Sequence, residues 1–126
     1  MADFLNLEEV LSLHADQIAL YGGDHSVRDI GLLDSAVAQP RATFDGEFLH
    51  KNLFEMAAAY LFHIVQNHPF LDGNKLTGVV AAMVFLDLNG IEIDAPQGSI
   101  YEITLSVAMG QAGKMEIAEF FCTHAN

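Results

Sequence analysis

The residues with the most chemistry lie in one run, His68-Pro69-Phe70-Leu71-Asp72-Gly73-Asn74-Lys75-Leu76. The imidazole of His68 can accept a proton near neutral pH. Asp72 suits Mg2+, which takes one or two carboxylates and completes its shell with phosphate or water oxygens. Gly73 permits a tight turn and close backbone approach, and a long apolar stretch follows it. A helix starting there aims free N–H groups and the positive end of its dipole at one small volume, which favours an anion. Lys75 adds the point charge that typically holds phosphate. Asn74 offers either a donor to a phosphate oxygen or tolerance of the turn, and Phe70 an apolar anchor. The run reads as a site for a nucleotide's phosphates with a general base beside it. Each residue alone has a plainer use: Asp72 as a helix cap, Lys75 as a solvated charge, His68 as one of six histidines.

The rest of the chain supplies helices to hold this run. Asn6 and Glu9 form a capping box, and Leu7, Val10, Leu11, Leu13, Ile18 and Leu20 recur at helical spacing up to Tyr21. Gly22-Gly23 ends that helix, and Asp24 to Asp29 is a polar loop. Asp29 caps a short helix that stops before Pro40. Between Arg41 and Asn52, Asp45-Gly46 stands between Thr43-Phe44 and Glu47-Phe48. This predicts either a β-hairpin, which alone would be a mobile flap, or an irregular loop packed by Phe44 and Phe48. Leu53 to Gln66 is a third helix, and Leu76 to Leu88 is apolar nearly all round, which places it mid-bundle. Asn89-Gly90 closes it; Ile91 to Pro96 is extended; Ser99 with Glu102 predicts another capping box; a last helix runs from Lys114 to Thr123. The fold class is all-α, a compact bundle around a central apolar helix, with a small hairpin flap or loop.

The chain has 126 residues, 52% hydrophobic and 17% charged, which fits a single folded domain over 1–126 and excludes a disordered one. A net charge of −12 with five scattered basic residues argues against a nucleic-acid surface. The lone Cys122, on an apolar stretch, reads as packed and forms no internal disulfide. Acidic residues near the N-terminus do not suit a signal peptide, and the apolar run Val79 to Leu86 is too short to cross a bilayer. These features predict a cytoplasmic protein with no membrane partner. Zinc chemistry is set aside, since neither a Cys pair nor a His-Glu-x-x-His spacing occurs.

The run at His68 resembles the signature of the Fic/Doc family, His-x-Phe-x-(Asp/Glu)-(Gly/Ala)-Asn-(Gly/Lys)-Arg, at His68, Phe70, Asp72, Gly73, Asn74 and Lys75. Tyr21-Gly22-Gly23, Val27 to Leu33 and Phe85 to Gly90 are similar to the Doc branch, so the likeness spans roughly Leu5 to Glu119. It implies a helical fold that transfers part of ATP to a hydroxyl of another protein. Most members transfer AMP. The Doc branch, with Lys where others have Gly, is a toxin that phosphorylates elongation factor Tu and blocks translation, and Lys75 points to that branch. The resemblance makes His68 the general base and Asp72 the Mg2+ ligand. It gives Gly73, Asn74 and Lys75 the phosphates of ATP, and the flap Thr43, Phe44, Asp45, Gly46 and Glu47 the docking of the target as an added strand.

Leu76 departs from the signature, which has arginine there. Losing that charge-assisted fork costs on the order of 1.5–3 kcal/mol. A weakened enzyme, a silent antitoxin-binding member and a substitution made to tame a toxin all fit it, and an AMP transferase of the same fold is the other alternative. The family's inhibitory helix has Ser/Thr-x-x-x-Glu-Gly/Asn. The nearest string, Thr43 to Glu47, is followed by Phe48. The resemblance therefore implies a separate, Phd-like antitoxin in trans, docking as a helix in a groove.

Overall fold

A computed structural model describes all 126 residues. Six helices form the bundle: α1 (Leu7–Tyr21), α2 (Ile30–Ala38), α3 (Leu53–Asn67), α4 (Asn74–Leu88), α5 (Ser99–Ala108) and α6 (Lys114–His124). A single two-stranded antiparallel hairpin, β1 (Thr43–Phe44) and β2 (Glu47–Phe48), lies between α2 and α3. No helix is long and apolar enough to cross a membrane.

The apolar helices α3 and α4 pair through the middle. Every residue of α3 from Met56 to Leu61 is buried, and α2, α4, α5 and α6 all pack on it. Gly78 lets α4 come close: a Cβ there would stand 3.1 Å from Val65 Cγ2 and 3.2 Å from the Leu61 carbonyl oxygen. The Tyr60 hydroxyl accepts from the Leu5 N–H at 2.8 Å and donates to the Leu5 carbonyl at 3.3 Å, tying down the start of the chain. Its burial pushes the phenol up to about 12.

Side-chain oxygens begin the first three helices. Asn6 and Glu9 make the expected box, Asp29 accepts from the Leu32 N–H, and Asn52 from the Glu55 N–H. α4 differs: it begins at Asn74, two residues before the apolar pattern, with Gly73 (φ 83°) ahead of it and no side-chain cap. The Ser99–Glu102 box does not form. Gly98 is the N-cap, and Ser99, already helical, turns its hydroxyl back to the Pro96 carbonyl. Cys122 is exposed rather than packed. Ile117 and Phe121 hold the buried face of α6, and one further residue turns about 100° away from it.

Arg41 to Asn52 resolves in favour of the hairpin. Asp45 (φ 57°) and Gly46 (φ 81°) are both left-handed, as a two-residue hairpin turn matched to strand twist requires. Thr43 pairs with Phe48 and Phe44 with Glu47. Phe48 turns inward onto Phe4, ring centroids 5.7 Å apart, while Phe44 stays 73% exposed.

Candidate active site

The site lies where α3 gives way to α4. His68 caps α3 in the left-handed conformation (φ 50°, ψ 54°), which for a residue with a Cβ costs roughly 1–2 kcal/mol. Neighbours hold it there. Arg28 donates from Nε to the His68 carbonyl at 2.7 Å and from Nη2 to the Asn67 carbonyl at 3.0 Å. These carbonyls end the helix, where a cation is favoured. The backbone N–H groups of Arg28 and Asp29 both donate to the Pro69 carbonyl.

Asn74 fixes the imidazole from the other side. Its Oδ1 accepts from the Phe70 N–H at 3.0 Å, and its Nδ2 donates to the Phe70 carbonyl at 2.9 Å. Those two bonds decide which end of the amide is nitrogen, so the N–H2 group also faces His68 Nδ1, at 3.1 Å. Nδ1 is therefore the acceptor, and the neutral ring carries its proton on Nε2. The side chain of Asn74 is 5% exposed and committed to the loop. Its side-chain amide thus bonds within the loop, while its backbone N–H is one of those that a helix start leaves without an intrahelical partner.

The loop rests on α1. His14, 2% exposed, donates from Nε2 to the Asp72 carbonyl at 2.8 Å. Its ring stacks on Phe70 with centroids 3.6 Å apart and planes 4° from parallel. Gly73 lies against the same surface, where a Cβ would come within 3.2 Å of Ile18 Cδ1. Asp72 Oδ2 accepts from the Asp24 N–H at 2.7 Å, and a Cβ on Gly23 (φ 117°) would stand 3.1 Å from Asp72 Cβ. Val27 bridges to Phe70, and the Ser26 carbonyl accepts from the Leu71 N–H. The segment Gly22 to Asp29, which composition shows only as polar loop, packs against the loop that carries His68 and Asp72.

His68, Asn74 and Lys75 come together on a cleft of about 340 Å3 with Val65, Gln66 and Ala108. His68 and Lys75 are exposed, and Leu76 is half-buried in the same first turn. Gly73 faces α1, the Asp72 carboxylate turns to the connection after it at Gly23 and Asp24, and Thr43, Phe44, Asp45, Gly46 and Glu47 of the hairpin do not line the cleft. No trio of His, Cys, Asp or Glu gathers around a metal-sized point. A cation on Asp72, which lies outside the cleft's lining, would draw its other ligands from oxygens brought by its own ligand, a donor set that fits Mg2+ with phosphate. Sequence reasoning missed His14, Arg28, Gly23 and Asp24. Gly23 and Arg28 stood within the Doc-like segments without a role, and His14 left a trace of its own: with Gln17 it interrupts the apolar face of α1 that Val10 and Ile18 define.

An uncapped helix start, a lysine in its first turn and a histidine thus stand together on one cleft of a helical domain. Residues 4–86 match the Fic/DOC family, and the chain belongs to it. Its likeness is to the Doc branch. It is 45% identical to "Toxin Doc" of Mycolicibacterium smegmatis over 95 residues, 75% of this chain and 71% of that one. It is 31% identical to "Protein kinase doc" of Escherichia phage P1 over 113 residues, 89% of this chain and 87% of the relative.

Proposed function

We propose that this protein is a Doc-type toxin that transfers a phosphate from ATP to a hydroxyl of elongation factor Tu, blocks translation, and is restrained by an antitoxin supplied in trans. The observation that carries the reading is the open N-terminus of α4, with Lys75 in its first turn and His68 across the same cleft. Two relatives support it by name, one a toxin and one a protein kinase.

In this reading the backbone N–H groups after Gly73 and the Lys75 ammonium bind the phosphates. Asp72 would hold Mg2+ through its remaining oxygen, and such an ion would supply positive charge to the phosphates. The target hydroxyl oxygen attacks phosphorus, the bond to the departing ADP oxygen breaks, and the hydroxyl proton passes to His68. The resting ring already carries a proton on Nε2. Accepting another there requires the ring's own proton to move to Nδ1, so His68 leaves the Asn74 amide in the working state. The hairpin, with Phe44 exposed on its edge, docks the target segment by strand addition.

The test is the intact mass of purified elongation factor Tu after incubation with this protein, Mg2+ and ATP. A gain of one phosphate is expected; a gain of AMP would replace the kinase by an AMP transferase. A silent, antitoxin-binding member is the second reading, and Leu76 is the observation that favours it. Unmodified target with the natural chain and with Leu76→Arg alike would establish that second reading.

A further inference from the structure

Away from the motif, Lys114, the first residue of α6, places Nζ 3.2 Å from His50 Nε2 and 3.1 Å from His63 Nε2. An ammonium only donates, so both imidazoles accept through Nε2 and are neutral. Two of its three N–H directions are thus used. Lys114 also lines a cavity of about 520 Å3, walled by Leu49, Met115 and Ala118 with Gln39, His50 and Glu55. The cluster is incompletely satisfied. His50 is 7% exposed, and its Nδ1 is buried with no well-formed hydrogen bond, only the carbonyls of Pro40 and Gln39 standing near it. Burial, then the charge of Lys114, pushes His63 down to about 4 and holds His50 below its usual range. Burial also holds the Lys114 ammonium below the ordinary lysine range, so more of it is free amine at neutral pH.

We propose that Lys114 is a modification site that takes a small uncharged acyl group from an acyl thioester, and that its acylation loosens the hairpin from the bundle. A desolvated amine is an activated nucleophile. With two N–H bonds donated to imidazoles, its lone pair occupies a remaining direction. That lone pair attacks the thioester carbonyl carbon, the C–N bond forms, the C–S bond breaks and the thiolate leaves. The nitrogen's surplus proton passes to His63 or His50, the bases already in contact. Leu49, Met115 and Ala118 suit a short acyl chain, while Glu55 and the net charge of −12 oppose an anionic one. The resulting amide keeps one N–H, so one imidazole loses its donor. His50 follows β2 by two residues, and the Leu49 N–H closes the hairpin's base on the Ala42 carbonyl at 2.9 Å.

The chain holds two other lysines, Lys51 and Lys75, both exposed, so one sample contains its own reference. The full chain is incubated at neutral pH with N,S-diacetylcysteamine, a neutral acetyl thioester, and acetylation at each lysine is followed by peptide mass spectrometry. Lys114 is expected to react several-fold faster than Lys51 and Lys75; equal or slower reaction overturns the site. In folded His63→Gln that lead should shrink, and an undiminished lead would overturn the role of the imidazoles. Lys114→Gln, which mimics the acylated side chain, should speed hydrogen exchange at the Leu49 N–H. Unchanged exchange overturns the coupling to the hairpin. The wild-type comparison decides the site even where a variant fails to fold.

Discussion

The starts of α3 and α4 are opposites. At α3 the chain satisfies itself: Asn52 accepts from the Glu55 N–H, Glu55 accepts from the Lys51 N–H, and the Asn52 amide donates to the other Glu55 oxygen. At α4 the cap is glycine, and the one polar side chain that could turn inward, Asn74, is spent on Phe70 and His68. A closed start adds stability and leaves nothing for a ligand; an open one forgoes a cap, typically worth ~1 kcal/mol, and keeps its donors for an anion. The same contrast holds for the imidazoles. His68 stands exposed at the open start, whereas His50 and His63 near the closed one are locked on Lys114.

The hardest test of the contrast removes the base from the open end. His68→Ala should lower phosphate transfer by about 10²–10⁴-fold, the usual worth of a general base, with an unchanged melting temperature. A fold lost with that one side chain would refute its catalytic role. Lys75→Ala should weaken ATP binding by roughly tenfold to a hundredfold, and Leu76→Arg strengthen it to a similar degree, both read by calorimetry, since a charge-assisted bond is worth about 1.5–3 kcal/mol. At the closed end, Asn52→Ala should cost about 1 kcal/mol in denaturant unfolding and leave ATP affinity as it was. If it changed the affinity instead, the division between the two starts would fail.

The smallest effect is one of pH. His63 is depressed in the folded protein to about 4 from 6.5, so the unfolded chain binds its proton first. Its contribution is complete above about 6.5 and disappears as the pH falls toward 4. Stability should therefore decline across that window, and His63→Gln should flatten the decline in thermal melts taken at each pH.

Much of the frame was legible because it rests on local chemistry. The box at Asn6 and Glu9, the stop at Gly22, the cap at Asp29 and the Asp45-Gly46 turn each depend on residues within a few positions of one another. The motif's run was equally plain. Residues that act across the fold were not. Arg28 reaches carbonyls 39 and 40 positions away, and His14 one 58 away, and no period in the chain records such distances. Ser99 misled for a related reason: its hydroxyl had two local carbonyl and N–H partners to choose between, and the turn at Gly98 decided the choice.

The clasp of Arg28, Ser26 and Asp24 on the loop His68 to Asp72 also sets an order of events. As a nascent chain emerges, the α1–α2 connection appears first and has nothing to grip. The left-handed turn at His68 is secured only once the α3–α4 junction has been made and folded back across it. Such non-local closures form late, and where exposed they open first. The geometry of the His68 loop is thus the last property this chain acquires and the first it surrenders, and mild destabilisation should undo it well before the helices melt.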